Sequence, residues 1–136
     1  MTNPTVFIID DDPDQVALVT AQIERGRRFA TKGFTRAESA LEEIRAEAPD
    51  AVVCDLMMPG MDGLAFVRRV REINRSLPLI IATARGTEGD AERALEAGAT
   101  DFVTKPIEPR ALETRIHRAL EQAPREELLA SFTQAK

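Results

Sequence analysis

Short apolar runs alternate with longer stretches of helical period, and the alternation repeats five times along the chain. The runs fall at Thr5–Ile9, 28–32, Ala51–Cys54, 79–82 and 101–103. Val6-Phe7-Ile8-Ile9 and Ala51-Val52-Val53 are apolar without interruption. A strand buried on both faces reads this way, whereas one with a wet face alternates. Between the runs, Asp12 is placed to cap a first helix, with Pro13 at its first position, Val16, Val19 and Ile23 on one face, and Gly26 as a stop. Thr35-Arg36-Ala37-Glu38 has the form of a capping box for a second helix, with Leu41, Ile44 and Ala48 behind it and Pro49 ending it. Leu64, Val67, Val70 and Ile73 make a third stripe. A fourth helix, 87–97, has only Ala91, Ala94 and Leu95 as anchors and closes at Gly98. The fifth, 109–122, turns Leu112, Ile116 and Leu120 inward.

Five strand-then-helix repeats predict an α/β fold with one doubly wound, five-stranded parallel sheet, right-handed crossovers and helices on both faces. At 136 residues and 43% hydrophobic content, the chain suits a single packed domain. Residues 123–136 follow the last expected helix and read as a C-terminal tail, either a linker or a short appended helix. The net charge of −5 argues against a nucleic-acid-binding surface. A basic-then-apolar leader and an apolar run near ~18 residues are both missing from the sequence, which gives no support for secretion or a membrane span. The lone Cys54 sits inside an apolar run as a small core residue, which suits the reducing cytoplasm.

In sheets of this kind, ligands bind beyond the carboxyl ends of the strands. The residues with chemistry to offer fall there. Ile8-Ile9 runs into Asp10-Asp11-Asp12, Val53-Cys54 into Asp55, Ile80-Ile81-Ala82 into Thr83, and Phe102-Val103-Thr104 into Lys105-Pro106. Carboxylates, a hydroxyl and an ammonium at one edge suit a divalent metal and a phosphoryl group. Carboxylates crowded together repel, and a hard cation with oxygen ligands relieves them.

Asp10-Asp11, Asp55-x-x-x-Pro59-x-x-x-Gly63, Thr83-Ala84 and Lys105-Pro106, in that order, resemble the receiver domain of two-component response regulators, the CheY-like superfamily. The likeness covers roughly residues 4–122, so that 1–122 would be the receiver. It implies a flavodoxin-like (βα)5 sheet with strand order 2-1-3-4-5, a cytoplasmic phosphoprotein, and Asp55 as the nucleophile toward the phosphohistidine of a sensor histidine kinase or histidine phosphotransferase. Mg²⁺ (or Mn²⁺) would be held by Asp11, Asp55 and the Met57 carbonyl, with Asp10 acting through a water. Lys105 and Thr83 would take the phosphoryl oxygens. Thr83 and Phe102 would form the switch, Phe102 lacking a hydroxyl to bond when it turns inward. Met57 and Arg85 would set phosphoryl lifetime, and neither offers a base to orient water. Readout would pass through the fourth helix, fifth strand and fifth helix to an unknown output, with a homodimer as one activated form. The Lys105-Pro106 pair resembles the family's cis-peptide turn.

Other residues take plainer readings. Asp12 and Asp14 suit a helix cap and first turn. Asp10-x-Asp12-x-Asp14 has calcium-loop spacing, but Gln15 and Ala21 stand where that loop needs Gly and Glu. Asp62 reads as a helix-start residue, His117 as solvated, and Arg68, Arg69, Arg71 and Arg75 as a solvated face. Met57, Met58 and Met61 read as loop packing. Two other functions compete. A phosphatase of the haloacid dehalogenase type would use Asp10 and Asp12, but it needs a cap domain for which this chain has no room. A receiver cut from a larger DNA-binding or enzymatic regulator is the other.

Overall fold

The structure, a computed structural model, describes residues 3–84 and 86–134, with side chains described as far as residue 122. In chain order the elements are β1 (Thr5–Ile9), α1 (Pro13–Arg25), β2 (Ala30–Phe34), α2 (Ala37–Ala46), β3 (Ala51–Cys54), α3 (Gly63–Ile73), β4 (Leu79–Thr83), α4 (Glu88–Ala97), β5 (Asp101–Thr104) and α5 (Pro109–Gln134). All neighbouring strands pair in parallel, in the order β2-β1-β3-β4-β5. This is the expected 2-1-3-4-5 sheet.

Alternation along each central strand feeds two cores. Phe7, Ile9, Val52, Cys54, Leu79 and Ile81 join Phe66, Val67 and Val70 of α3, Leu41 and Ile44 of α2 and Ala94 of α4 on one face. Val6, Ile8, Ala51, Val53, Ile80 and Ala82 join Ile23 of α1 and Leu112 and Ile116 of α5 on the other. Both faces are covered, which is why these strands read as unbroken apolar runs. Among the described residues, none of the helices is long and apolar enough to cross a membrane.

Several boundaries differ from the sequence reading. The second strand begins at Ala30 instead of 28, because Arg27 adopts a positive φ of 60° after α1 and pairing starts with Thr5 opposite Ala30. Phe29 is a buried plug in front of the strand. The expected capping box at Thr35 does not form: Arg36 is the N-cap of α2 and makes no side-chain cap bond. Glu38 instead accepts from the Met61 amide at 3.2 Å. Helix α2 stops at Ala46, leaving Ala48 exposed. On α3 the buried stripe is Gly63, Phe66, Val67 and Val70, while Ile73 is 44% exposed at the helix end. Thr87 caps α4 reciprocally with Asp90, yet only Ala94 is buried and Leu95 is half exposed. The last helix continues through residues 123–134, the region expected to be a tail.

Gly63 sets how closely α3 meets the end of β3. Its amide donates to the Leu56 carbonyl at 2.9 Å. A Cβ there would lie 2.6 Å from the Asp55 carbonyl oxygen and 2.8 Å from Leu56 Cα, both backbone atoms with no room to yield. Gly63→Ala is therefore expected to cost on the order of 2–3 kcal/mol by overpacking. Urea titration should show a lower midpoint at unchanged slope. A midpoint equal to that of the parent would mean the strand end can shift freely.

Candidate functional site

Three strand ends deliver acid groups and a base to one point. Beyond β1, the Asp10 amide donates to the Phe34 carbonyl at 3.1 Å, and beyond β3 the Asp55 amide donates to the Ile9 carbonyl at 3.0 Å. Both residues thus continue the ladder by one bond before the chain turns away. Their positions are fixed by the sheet, not by loops. Beyond β5, the Lys105 amide donates to the Thr83 carbonyl at 2.8 Å, and a cis peptide follows at Lys105-Pro106, as the family resemblance implied.

Side-chain oxygens of Asp10, Asp11 and Asp55 all lie within 4.8 Å of one another, with Asp10 buried, Asp55 half-buried and Asp11 exposed. Asp10 uses both its oxygens. One accepts from the Asp12 amide at 3.0 Å, and the other takes the Lys105 ammonium at 2.7 Å. The same ammonium stands 3.8 Å from Asp55 Oδ2. The Thr83 hydroxyl hydrogen-bonds the Asp55 carboxylate, and the Met57 amide donates to Asp55 Oδ1 at 3.4 Å. The cleft at this point is lined by Asp10, Asp11, Asp55 and Lys105 together with Gln15 and Leu18 of α1 and Pro106 and Ile107.

Burial pushes the Asp55 carboxyl above its ordinary 3.8; Lys105 pulls it down and Asp10 adds a further push up. Next to it, burial holds the Cys54 thiol well above 9.0, so this thiol stays protonated and its Sγ contacts the Asp55 carbonyl at 3.3 Å. The donor set fits a hard divalent cation: three carboxylates in reach of one another, of which one is desolvated beside a second negative group.

The expected site residues Asp10, Asp11, Asp55, Thr83 and Lys105 thus come together. Met57 enters through its amide, with its side chain 65% exposed, so the thioether is not loop packing, unlike the partly buried Met58 and Met61. Phe102 is half-buried, its ring so close to Gly86 that a Cβ there would lie 2.7 Å from Cζ; Thr83 Cγ2 is the next neighbour at 3.1 Å. Arg85 lies outside the described residues. Asp12 caps α1 and Asp62 caps α3, as expected. His117 is exposed beside Glu121. Arg71 is not part of a solvated face: it reaches the Gly98 carbonyl at 2.8 Å and the Asn74 carbonyl at 3.1 Å. Glu38 was the residue missed; its sequence signal pointed to its own helix.

Residues 6–117 match the family model of the response regulator receiver domain. The transcriptional regulatory protein AfsQ1 of Streptomyces coelicolor is 39% identical over 124 residues, covering 90% of this chain and 54% of that protein. The chain spans about half the length of the curated relatives it matches. A putative response regulator from Chloroflexus aurantiacus superposes with a TM-score of 0.80 at 35% identity, covering 88% of this chain and 99% of that one. The beryllofluoride-activated DrrB receiver domain does so with a TM-score of 0.79 at 29% identity, covering 88% and 99%.

The electrostatics at Asp55 give a stability test. Because its folded pKa is raised, the stability gained from the protonated carboxyl is full below the ordinary value of 3.8 and is lost as pH rises through the folded value. At neutral pH without divalent metal, Asp55→Asn should melt higher than the parent, because it removes the charged form that burial disfavours. Added Mg²⁺ should raise the melting point of the parent more than that of the variant. A variant that melts lower under both conditions would contradict the reading of Asp55 as a strained carboxylate.

Proposed function

Because this chain belongs to the response regulator receiver family, we propose that Asp55 accepts a phosphoryl group from the phosphohistidine of a sensor histidine kinase or histidine phosphotransferase. Response regulators receive phosphoryl groups from such kinases and act on output domains, so the domain is a signalling module. The observation that carries the reading is the Lys105 ammonium standing 2.7 Å from Asp10 and 3.8 Å from Asp55, with the Thr83 hydroxyl on the same carboxylate. Asp10 as a dehalogenase-type nucleophile finds no support here, since Lys105 and the Asp12 amide occupy its oxygens and Asp12 is a helix cap.

In this mechanism an Asp55 oxygen attacks phosphorus, the bond to the histidine nitrogen breaks, and an acyl phosphate forms on Asp55. Lys105 shifts toward the transferred oxygens as a point charge, and Thr83 turns its hydroxyl to them. Receiver domains bind Mg²⁺ at an acidic cluster; here Asp11, Asp55 and the Met57 carbonyl would hold Mg²⁺ (or Mn²⁺), with Asp10 through a water. Bound there, the ion supplies positive charge against the phosphoryl oxygens. Catalysis is confined to the domain's own phosphorylation and dephosphorylation. Met57 and Arg85 offer no base for water, so self-dephosphorylation is slow.

Thr83 moving toward phosphate and Phe102 filling the space beside it would shift the α4–β5–α5 surface, the output face. The loose seating of α4 supports this. The relatives that are transcriptional regulators extend well beyond the matched region, which supports a role for 1–122 as the receiver and 123–136 as a lead to an output unit. The partners are then a sensor histidine kinase or histidine phosphotransferase and an unknown output protein or domain in the cytoplasm, with no direct contact between this domain and nucleic acid or membrane.

Intact-mass measurement after incubation with acetyl phosphate and Mg²⁺ tests the site. The parent should gain the mass of one phosphoryl group, Asp55→Asn none, and Lys105→Ala should react about 100-fold more slowly. Equal labelling of Asp55→Asn would remove Asp55 as the acceptor. Light scattering with Mg²⁺ and beryllium fluoride reads the activated assembly: a dimer supports self-association through the output face, and a persistent monomer removes it.

A further inference from the structure

The residue left over from the capping box has a second address. Glu38 lies in the opening turn of α2, yet its Oε1 accepts from the Met61 amide, 23 residues away, at 3.2 Å. Its Oε2 is held by Arg36, at 3.1 Å from Nε and 3.1 Å from Nη2. The Arg36 pair orients the carboxylate, leaving Oε1 pointed at the far turn of the loop between β3 and α3. That turn is made by Gly60 with φ 76°, and the Glu38 carboxylate packs against it, 3.5 Å from where a Gly60 Cβ would lie.

We infer that Glu38 is a positioning residue for the phosphoacceptor site, holding the 57–61 loop so that the Met57 amide stays on the Asp55 carboxylate. This rests on the reading of Asp55 as the phosphoacceptor. The loop leaves β3 at Asp55 and returns where the Gly63 amide meets the Leu56 carbonyl at 2.9 Å. Its base is therefore closed by the strand and helix it joins, while its tip is held by a different element. The bond that depends on the tip is a long one. Met57 N to Asp55 Oδ1 is 3.4 Å, at the edge of hydrogen-bond distance, so a shift of a few tenths of an ångström breaks it. A loop free to drift would lose that donor and misplace the Met57 carbonyl. Packing of Met58 and Met61 on the core limits the drift without setting the direction of either backbone group.

The test uses Glu38→Ala and Glu38→Gln in the full chain, with beryllium fluoride and Mg²⁺ as the probes. Removal of the acceptor should weaken beryllofluoride affinity roughly three- to tenfold, below the range for residues that bond a metal ligand directly. It should also shift the Met57 and Met61 amide resonances and speed their exchange. Glu38→Gln keeps an oxygen for Met61, and the exposed Arg36 can swing away, so it should restore affinity and both amide signals. Lowered thermal stability in Glu38→Ala with unchanged affinity would overturn the inference, as would failure of the glutamine to rescue. A parent that does not bind beryllofluoride at all would instead sink the phosphoacceptor reading, which keeps the two failures distinct.

Discussion

Two carboxylates and an ammonium share a partly dry edge, and the charges do not cancel. Lys105 satisfies Asp10 closely and Asp55 only at a distance, so Asp55 is left with a desolvation cost met by weak donors. Removing Lys105 from such a set would leave two carboxylates uncompensated, which is far more costly than the pair is worth. The rest of the architecture follows from keeping these groups in place. They stand on strand ends because only the sheet fixes backbone atoms to within the tolerance that such short-range electrostatics require.

The parallel sheet supplies that rigidity by burying both faces. β1 and β3 are adjacent, which brings Asp10 and Asp55 together, and β4 and β5 lie alongside, which brings Thr83 and Lys105. Helices α1 and α5 close one face and α2, α3 and α4 the other, with α3 packed onto the strand end so tightly that glycine is required at its start. A structure made this stiff at its centre leaves motion to its margins, and α4, with Ala94 as its one buried residue, is the margin.

The strand ends were legible because each is a change from apolar to polar within one or two residues, a signal carried by composition alone. Asp55 after Cys54 and Lys105 after Thr104 needed no knowledge of what faces them. The second strand was misplaced since Phe29 is apolar for a reason unrelated to pairing: it fills a core beneath the turn at Arg27. Glu38 and Arg71 were misread for another reason. A long charged side chain on a helix has the same sequence signature whether it meets water, its own helix end or a neighbouring element. Glu38 reaching Met61 and Arg71 reaching Gly98 are facts of packing, invisible until α2, α3 and α4 are set side by side.

Arg71 also decides how α4 can travel. It grips the carbonyl of Gly98, the residue that ends α4, from the last turn of α3, while the opposite end of α4 hangs from the loop that follows Thr83. A ten-residue helix is about 15 Å long at 1.5 Å per residue. Pinned at its carboxyl end and lightly seated along its length, it behaves as a lever whose fulcrum is Gly98. A tilt of about ten degrees about that point moves the amino end of α4, the end nearer Thr83, by roughly 2.6 Å on such an arm. Such a coupling would run both ways: a partner that clasps the amino end of α4 would bear on the loop that leads to the threonine.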